Sequence, residues 1–356
     1  MNIRRISTWT EHFELSRPYA IAFRTVDSVR NGFVRIETED GSIGLGCAAP
    51  EEYVTGETWD ACDAALAEPA LQWLVGRSVH ELAALCRELR ERFPGAPAAR
   101  AAVDIALHDL WGKRLGVPLA DALGRAHTSL PTSITVGIKD AAATVREAGE
   151  YLDRGFRVLK VKLGHSLDDD IERLHRLRDF AGEAVVIRVD PNQGYSADEV
   201  SRFVEETAGL GIEFLEQPMN AVDVGAMRAL PDAVKDRLAA DETLLDESDA
   251  LALVEPPRAC GIFNIKLMKC GGVHAASRIA AVAEIAGVEL MWGCMDESVV
   301  SISAALHAAF SSPATRYLDL DGSLDLARDV ADGGFLLEDG VMRTLDGPGL
   351  GVTLRD

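Results

Sequence analysis

VLKVKLG, residues 158–164, sets two lysines two positions apart inside an aliphatic run. Side chains alternate faces along an extended strand, so Val158, Lys160 and Lys162 share one side while Leu159, Val161 and Leu163 share the other. The run belongs to a series: ITVGI from 134, VVIRVD from 185, IEFLEQP from 212, LAADET from 238, GIFNIKL from 261, VELMWG from 288 and RYLDLD from 316. These recur about every 25 residues, separated by amphipathic stretches such as SADEVSRFVEETAGLG and HAASRIAAVAEIAG. Strands alternating with helices at that period pair in parallel, and eight βα units predict a closed (β/α)8-type barrel. A lysine pair on the inner face of such a barrel is a chemical feature.

A barrel absorbs roughly 250 residues, and the chain has 356, so a smaller second unit is expected. The first third reads as α+β. FVRIET and IGLGCAAP, either side of Glu39-Asp40-Gly41, predict a hairpin, and AARAAVDIALHDLWGKRLG predicts a helix ending at Gly116. GVPLADALGRAHTSLP reads as the crossing between units, and FLLEDGVMRTLDGPGLGV as strands that return to complete the first one. The expected division is a capping unit of 1–125, completed by about 326–356, and a barrel of 126–325.

Fifty-seven acidic against 36 basic side chains, a formal charge of −21, disfavour a nucleic-acid or anionic-membrane partner. No apolar run approaches the roughly 18 residues of a membrane span, and nothing at the N-terminus reads as a targeting segment. The six cysteines (47, 62, 86, 260, 270, 294) form no CxxC pair, which argues against a disulfide framework and a zinc site and for a reducing cytoplasm.

Barrel enzymes keep their chemistry at the C-terminal ends of the strands. Here the runs close on Lys160 and Lys162, Asp190, Glu216, Asp241 with Glu242, Lys266, and Asp319 with Asp321. Singly, each carboxylate reads as a helix N-cap. Together, Asp190, Glu216 and Asp241 from consecutive strands repel unless a divalent cation neutralises them, and all-oxygen ligation favours Mg²⁺, with Mn²⁺ as a substitute. Lys162 and Lys266 stand on opposite sides of an eight-strand ring. Burial and the like charge of Lys160 are expected to depress the amine pKa toward that of a base. Two such groups about one carbon can remove a proton α to a carbonyl and return it on the far side, the chemistry of a racemase or epimerase.

These motifs resemble the enolase superfamily, muconate-lactonising subgroup, and most closely its dipeptide epimerases. The resemblance is carried by LKVKLG, VDPNQGY, EQP, ADET, NIKLMKCGG, GCMDES and YLDLD, with AFRT near the start and PGLG at the end. It implies an α+β capping domain closing over a modified (β/α)7β barrel. It further implies Lys162 and Lys266 as acid/base pair with Lys160 beside them, metal ligation by Asp190, Glu216 and Asp241, and supporting roles for Asn192, Glu242 and Glu297. Asp319 and Asp321, two apart, are expected on one face to receive a dipeptide's α-ammonium; Thr135, Arg24, Glu51 and Asp296 are further substrate-binding candidates. Arg24 suits Ala-Glu dipeptides, whereas Glu51 and Asp296 suit cationic ones, and the hypothesis is a preference for Lys- or Arg-containing dipeptides. A lyase of the same superfamily and a catalytically silent barrel are the rivals, and a homo-oligomer is left open. His165, His307, Trp292, Met295 and Cys294 read as structural.

Overall fold

The computed structural model describes residues 1–21 and 24–355, with the side chains of residues 19–25 outside the described set. Two long antiparallel strands, β1 (Ile3–Ile21) and β2 (Arg24–Thr38), open the chain, and β3 (Ile43–Ala48) adds to β2. Gly32 pairs with Ala48 and Glu37 with Ile43, the hairpin expected of FVRIET and IGLGCA. Asp40 holds its turn, accepting from Thr38 Oγ1 at 2.6 Å and Ser42 N–H at 3.2 Å.

The helix Pro97–Leu115 lies against this sheet and ends at Gly116, whose φ of 73° is the left-handed stop the sequence signals. Glu57 caps its start by accepting the N–H groups of Ala98 and Ala99 at 2.5 and 3.2 Å. The approach is close enough that a Cβ on Gly46 would lie 1.7 Å from the carbonyl oxygen of Ala102. Asp104, on the same helix, accepts the N–H of Val273 at 2.6 Å and so caps the helix Val273–Ala286 of the other unit.

After a short strand β4 (Leu130–Pro131), eight strands form one parallel sheet in sequence order: β5 (Ile134–Val136), β6 (Val158–Lys162), β7 (Val186–Asp190), β8 (Ile212–Glu216), β9 (Leu238–Ala240), β10 (Ile262–Ile265), β11 (Glu289–Trp292) and β12 (Thr315–Leu318). Thr132 bridges Leu318, and Ser133 N–H donates to Leu318 O at 3.0 Å, which closes the ring. Seven intervals carry helices. The eighth does not, so the (β/α)8 reading of the rhythm is corrected to the (β/α)7β form implied by the resemblance. No helix followed RYLDLD because the chain there turns back over the mouth, Leu324 N–H donating to Asp321 O at 2.8 Å.

The tail forms β13 (Ala331–Gly333), β14 (Phe335–Glu338), β15 (Val341–Thr344) and β16 (Val352–Leu354). β14 and β15 make the expected hairpin, but it pairs with β4, and β13 pairs with β16. Backbone bonds tie the tail to both units: Ala327 N–H donates to Glu14 O at 2.9 Å, and Leu350 N–H to Asp109 Oδ1 at 2.9 Å. Among the described residues, no helix is long and apolar enough to cross a membrane, and all six cysteines are free thiols.

Candidate active site

Lys160, Lys162, Asp241, Lys266, Asp319 and Asp321 line one cavity of about 480 Å³ at the C-terminal end of the barrel, roofed by β2 and the loop after β3. Asp190 and Glu216, the last residues of β7 and β8, are fully buried beside them. The period-two reading of VLKVKLG holds: Leu159, Val161 and Leu163 are buried on the helix side, and both lysines point into the ring. β6 and β10 are four places apart among eight strands, so Lys162 and Lys266 enter from opposite walls.

Each lysine is held by a carboxylate. Lys162 Nζ lies 2.7 Å from Asp190 Oδ2, and Lys266 Nζ lies 2.7 Å from Asp241 Oδ2. Lys160 is the hub, with its Nζ 2.7 Å from Glu216 Oε2, 2.8 Å from Asp319 Oδ2 and 3.2 Å from Asp190 Oδ2. This corrects the expected electrostatics. Burial alone would lower Lys160, but Asp319, Glu216 and Asp190 more than reverse it and hold the ammonium well above its ordinary value. Lys266 is likewise raised against its own burial, chiefly by Asp241. The like charge of a neighbouring lysine is outweighed because carboxylates intervene.

The acids divide. Asp190 and Asp241 are lowered, burial being overcome by Lys162 and Lys160 for the first and by Lys266 and Lys269 for the second. Glu216 is pushed up to about 8 by burial and by the charge of Asp190, although Lys160 is its neighbour. Burial and Asp241 push Glu242 up to about 7. Glu242 Oε2 is a buried oxygen without a hydrogen-bond partner, and Glu216 Oε2 is met by the Lys160 ammonium alone. An unsatisfied buried group costs about 1–3 kcal/mol, and an orphaned hard oxygen on Glu242 beside three clustered carboxylates fits a hard divalent ion. Ammonium groups stand between the three in this state. Among the described residues the trio whose ligand atoms all lie within 4.8 Å of one another is instead Cys86, Asp104 and His108 in the cap, a clustering that the cysteine spacing did not announce. Its groups are already engaged: Asp104 caps a helix, and His108 Nδ1 meets Asp104 O at 2.8 Å.

The aspartate pair also differs from expectation. β12 stops at Leu318, and the two residues sit on the following turn with separate partners. Asp319 is committed to the protein, accepting from Ser133 Oγ at 2.6 Å and from Lys160. Asp321 accepts the Thr135 backbone N–H at 2.7 Å, and burial together with Asp319 and Asp325 pushes its carboxyl up to about 7. Glu51, Asp296 and Thr135 line the cavity, whereas the side chain of Arg24 lies outside the described residues. Asn192, at φ 46°, turns its N–H onto Asp190 Oδ1 at 2.9 Å, and Glu297 accepts Met295 N–H at 2.8 Å to hold the loop after β11. Cys294 is inert, its thiol pushed well above the ordinary value by burial.

Several supporting residues escaped sequence reasoning. Lys269, fully buried, donates to Asp241 O at 2.7 Å and to Asn264 O at 2.9 Å, and its ammonium also grips the Asp241 carboxylate. Gln217, the middle of EQP, accepts Asp241 N–H at 3.0 Å and Thr243 Oγ1 at 2.8 Å, which joins the ends of β8 and β9. Asn264 donates to Glu216 Oε1 at 2.7 Å. The inward period of GIFNIKL was the available signal for Asn264; Gln217 follows the end of β8 and Lys269 lies in the one-turn helix Leu267–Cys270, too short for a period to show.

Residues 4–124 match the family model for the mandelate racemase/muconate lactonizing enzyme N-terminal domain, and residues 143–356 that for the enolase C-terminal domain-like family. The chain is similar to the L-Lys-D/L-Arg epimerase of Methylococcus capsulatus, at 59% identity over the whole of both chains. It is 52% identical over 99% of each chain to the L-Lys-D/L-Arg epimerase of Desulforapulum autotrophicum. A solved structure of the M. capsulatus dipeptide epimerase, complexed with Mg and the dipeptide L-Arg-D-Lys, superposes with a TM-score of 0.98 over 99% of this chain and 100% of the other, at 59% identity. Two domain matches that span nearly the whole chain, and a mouth built from opposed lysines around three carboxylates, agree on one assignment: the chain belongs to the mandelate racemase/muconate lactonizing enzyme family of the enolase superfamily.

Proposed function

We propose that this chain is a Mg²⁺-dependent dipeptide epimerase that inverts the α-carbon of the C-terminal residue of dipeptides with Lys or Arg side chains. The observation that carries it is the opposition of Lys162 and Lys266 across the ring. One amine removes the α-proton from one face of the tetrahedral carbon, leaving a planar carbanion, and the other ammonium returns a proton to the opposite face. The proton taken stays on the first lysine and the second gives up its own, so the two exchange protonation states and no net acid or base is consumed. Asp190, Glu216 and Asp241 would hold the metal, which supplies positive charge where negative charge builds on the substrate carboxylate. Asp190 and Asp241, which hold Lys162 and Lys266, are also the residues that would ligate the metal, and a lysine released from its carboxylate can act as base. Lys160 neutralises Glu216 and Asp319, Asn192 orients Asp190, Glu242 shapes the wall, and Glu297 holds the loop after β11.

Asp321 receives the α-ammonium, since the oxygens of Asp319 are taken. Glu51 and Asp296 also line the cavity and would meet a cationic side chain of the C-terminal residue. Residues 1–125 with 326–356 act as the cap and 126–325 as the catalytic unit, working in a reducing cytoplasm where the free thiols persist. The cationic relatives support the substrate class. Incubation with Mg²⁺ and L-Arg-L-Lys in D₂O is expected to place deuterium at the α-carbon of the C-terminal residue and to yield both L,L and L,D products. No exchange across Lys- and Arg-containing dipeptides overturns the activity. Faster turnover of Ala-Glu than of every cationic dipeptide overturns the preference.

A further inference from the structure

Several acids around the mouth have a cation. Asp190, Glu216, Asp241, Asp319 and Glu147 each lie within 4.0 Å of a lysine or arginine nitrogen. Asp321 and Asp325 do not, among the described residues, although Asp321 is only 7% exposed and Asp325 is half-buried, and both line the cavity. An uncompensated carboxylate in a partly desolvated wall is a standing electrostatic penalty unless a ligand brings the missing charge. The two sit side by side. Leu324 N–H donates to Asp321 O at 2.8 Å, so the chain turns tightly between them, and the charge of Asp325 helps to raise the Asp321 carboxyl.

The wall near Asp325 already holds two cations, Arg17 and Arg154, both over the Tyr151 ring. Tyr151 presents its ring there, and the Arg17 guanidinium from β1 already lies 5.5 Å from the ring centroid, with Nη1 3.2 Å from Glu147 Oε1 and a further pair to Glu150. Arg17 is paired with two glutamates and forms no ion pair with Asp325; its charge and that of Arg154 offset only part of the burial that keeps the Asp325 carboxyl raised. A dipeptide whose first residue is lysine or arginine brings two positive charges at that end, its α-ammonium and its side chain, to meet two unpaired carboxylates.

We infer that Asp325 is a specificity residue that binds the cationic side chain of the dipeptide's N-terminal residue, beside Asp321 on the α-ammonium. This rests on the dipeptide reading above and assigns the N-terminal subsite within it. Asp325 is joined to the fold by its backbone, its carbonyl accepting Ser16 N–H at 2.7 Å, so the side chain can be changed without cutting that tie.

The test compares kcat/KM for L-Arg-L-Lys and L-Ala-L-Lys in the Mg²⁺-loaded wild-type protein and in Asp325→Asn. The Arg-first over Ala-first ratio is expected to fall about tenfold in the variant, mainly through KM, and Asp325→Glu is expected to restore part of it. An unchanged ratio overturns the inference. A measurement free of any variant uses L-citrulline-L-Lys, the neutral near-isostere of the Arg-first substrate. The wild-type protein is expected to prefer arginine at least tenfold, and equal turnover overturns the inference while leaving the epimerase reading intact. Absence of exchange with all three dipeptides removes the epimerase reading itself, and the inference with it.

Discussion

Lys160 shows how one buried side chain can set the state of several others. Its ammonium touches three carboxylates from three places in the chain, and it carries the compensation that lets Asp319 stay ionised at nearly zero exposure. Lys162 and Lys266 are then left as the movable pair. Removing either amine removes one proton route. Lys162→Ala and Lys266→Ala are each expected to lower epimerisation about a thousandfold, yet each is expected to keep α-deuterium exchange for one stereoisomer, of opposite hand in the two variants. Chiral analysis of deuterated product checks this, and identical hand in both variants would contradict a two-sided mechanism. Asp321 carries its own pH signature. Its carboxyl is raised to about 7, and only the carboxylate attracts an ammonium, so the KM for dipeptides is expected to fall as pH rises from 6 to 8. Asp321→Asn is expected to raise KM and to flatten that limb of the profile.

The elements are positioned by close approach and by capping. The helix Pro97–Leu115 meets the cap sheet backbone to backbone at Gly46, and a methyl group there has no space. Gly46→Ala is expected to destabilise the protein by about 1–3 kcal/mol, read as a lowered denaturation midpoint. The helix Val299–Ala309 carries a second built-in sensitivity. His307 Nδ1 accepts the Ala120 N–H at 3.0 Å at the start of the helix Leu119–Leu123, and burial pushes the imidazole down to about 4. An unfolded histidine takes up its proton near 6.5, so between about 6.5 and 4 the unfolded chain binds the extra proton. The stability from this site is complete above about 6.5 and is lost as pH falls toward 4, by about 3 kcal/mol. Denaturation at pH 7 and pH 4.5 is expected to show that loss, and a smaller one in His307→Gln. The lone histidine was legible in sequence as a structural group; its acceptor role was not, because Ala120 is distant in the chain.

At the scale of the molecule, two units share the site. The barrel supplies lysines and carboxylates, β2 and the loop after β3 roof the cavity, and the tail ties both units. The mouth concentrates buried acids that only cations can compensate, so an ion binding the folded state alone stabilises it. Saturating Mg²⁺ at about a hundredfold over its Kd is expected to add about 2.7 kcal/mol, seen as an upward shift of the melting temperature that a chelator reverses. The same coupling predicts that Lys269→Met, which strips the buried ammonium from Asp241, alters Mg²⁺ affinity measured by calorimetry, with Lys269→Arg closer to wild type.

The strand-end residues were readable because two regularities act locally: the alternation of a strand decides which side chains enter the barrel, and the recurrence of strands decides how many walls the barrel has. From these the sequence alone determined the barrel, its mouth, the opposed lysines and the three carboxylates. It could not decide which charges meet. The pKa directions of Lys160 and Lys266, the separate duties of Asp319 and Asp321, the missing eighth helix and the work of Gln217 and Lys269 depend on distances between residues far apart in the chain. Electrostatic energy follows separation in space and the exclusion of water, and both exist only once the chain is folded.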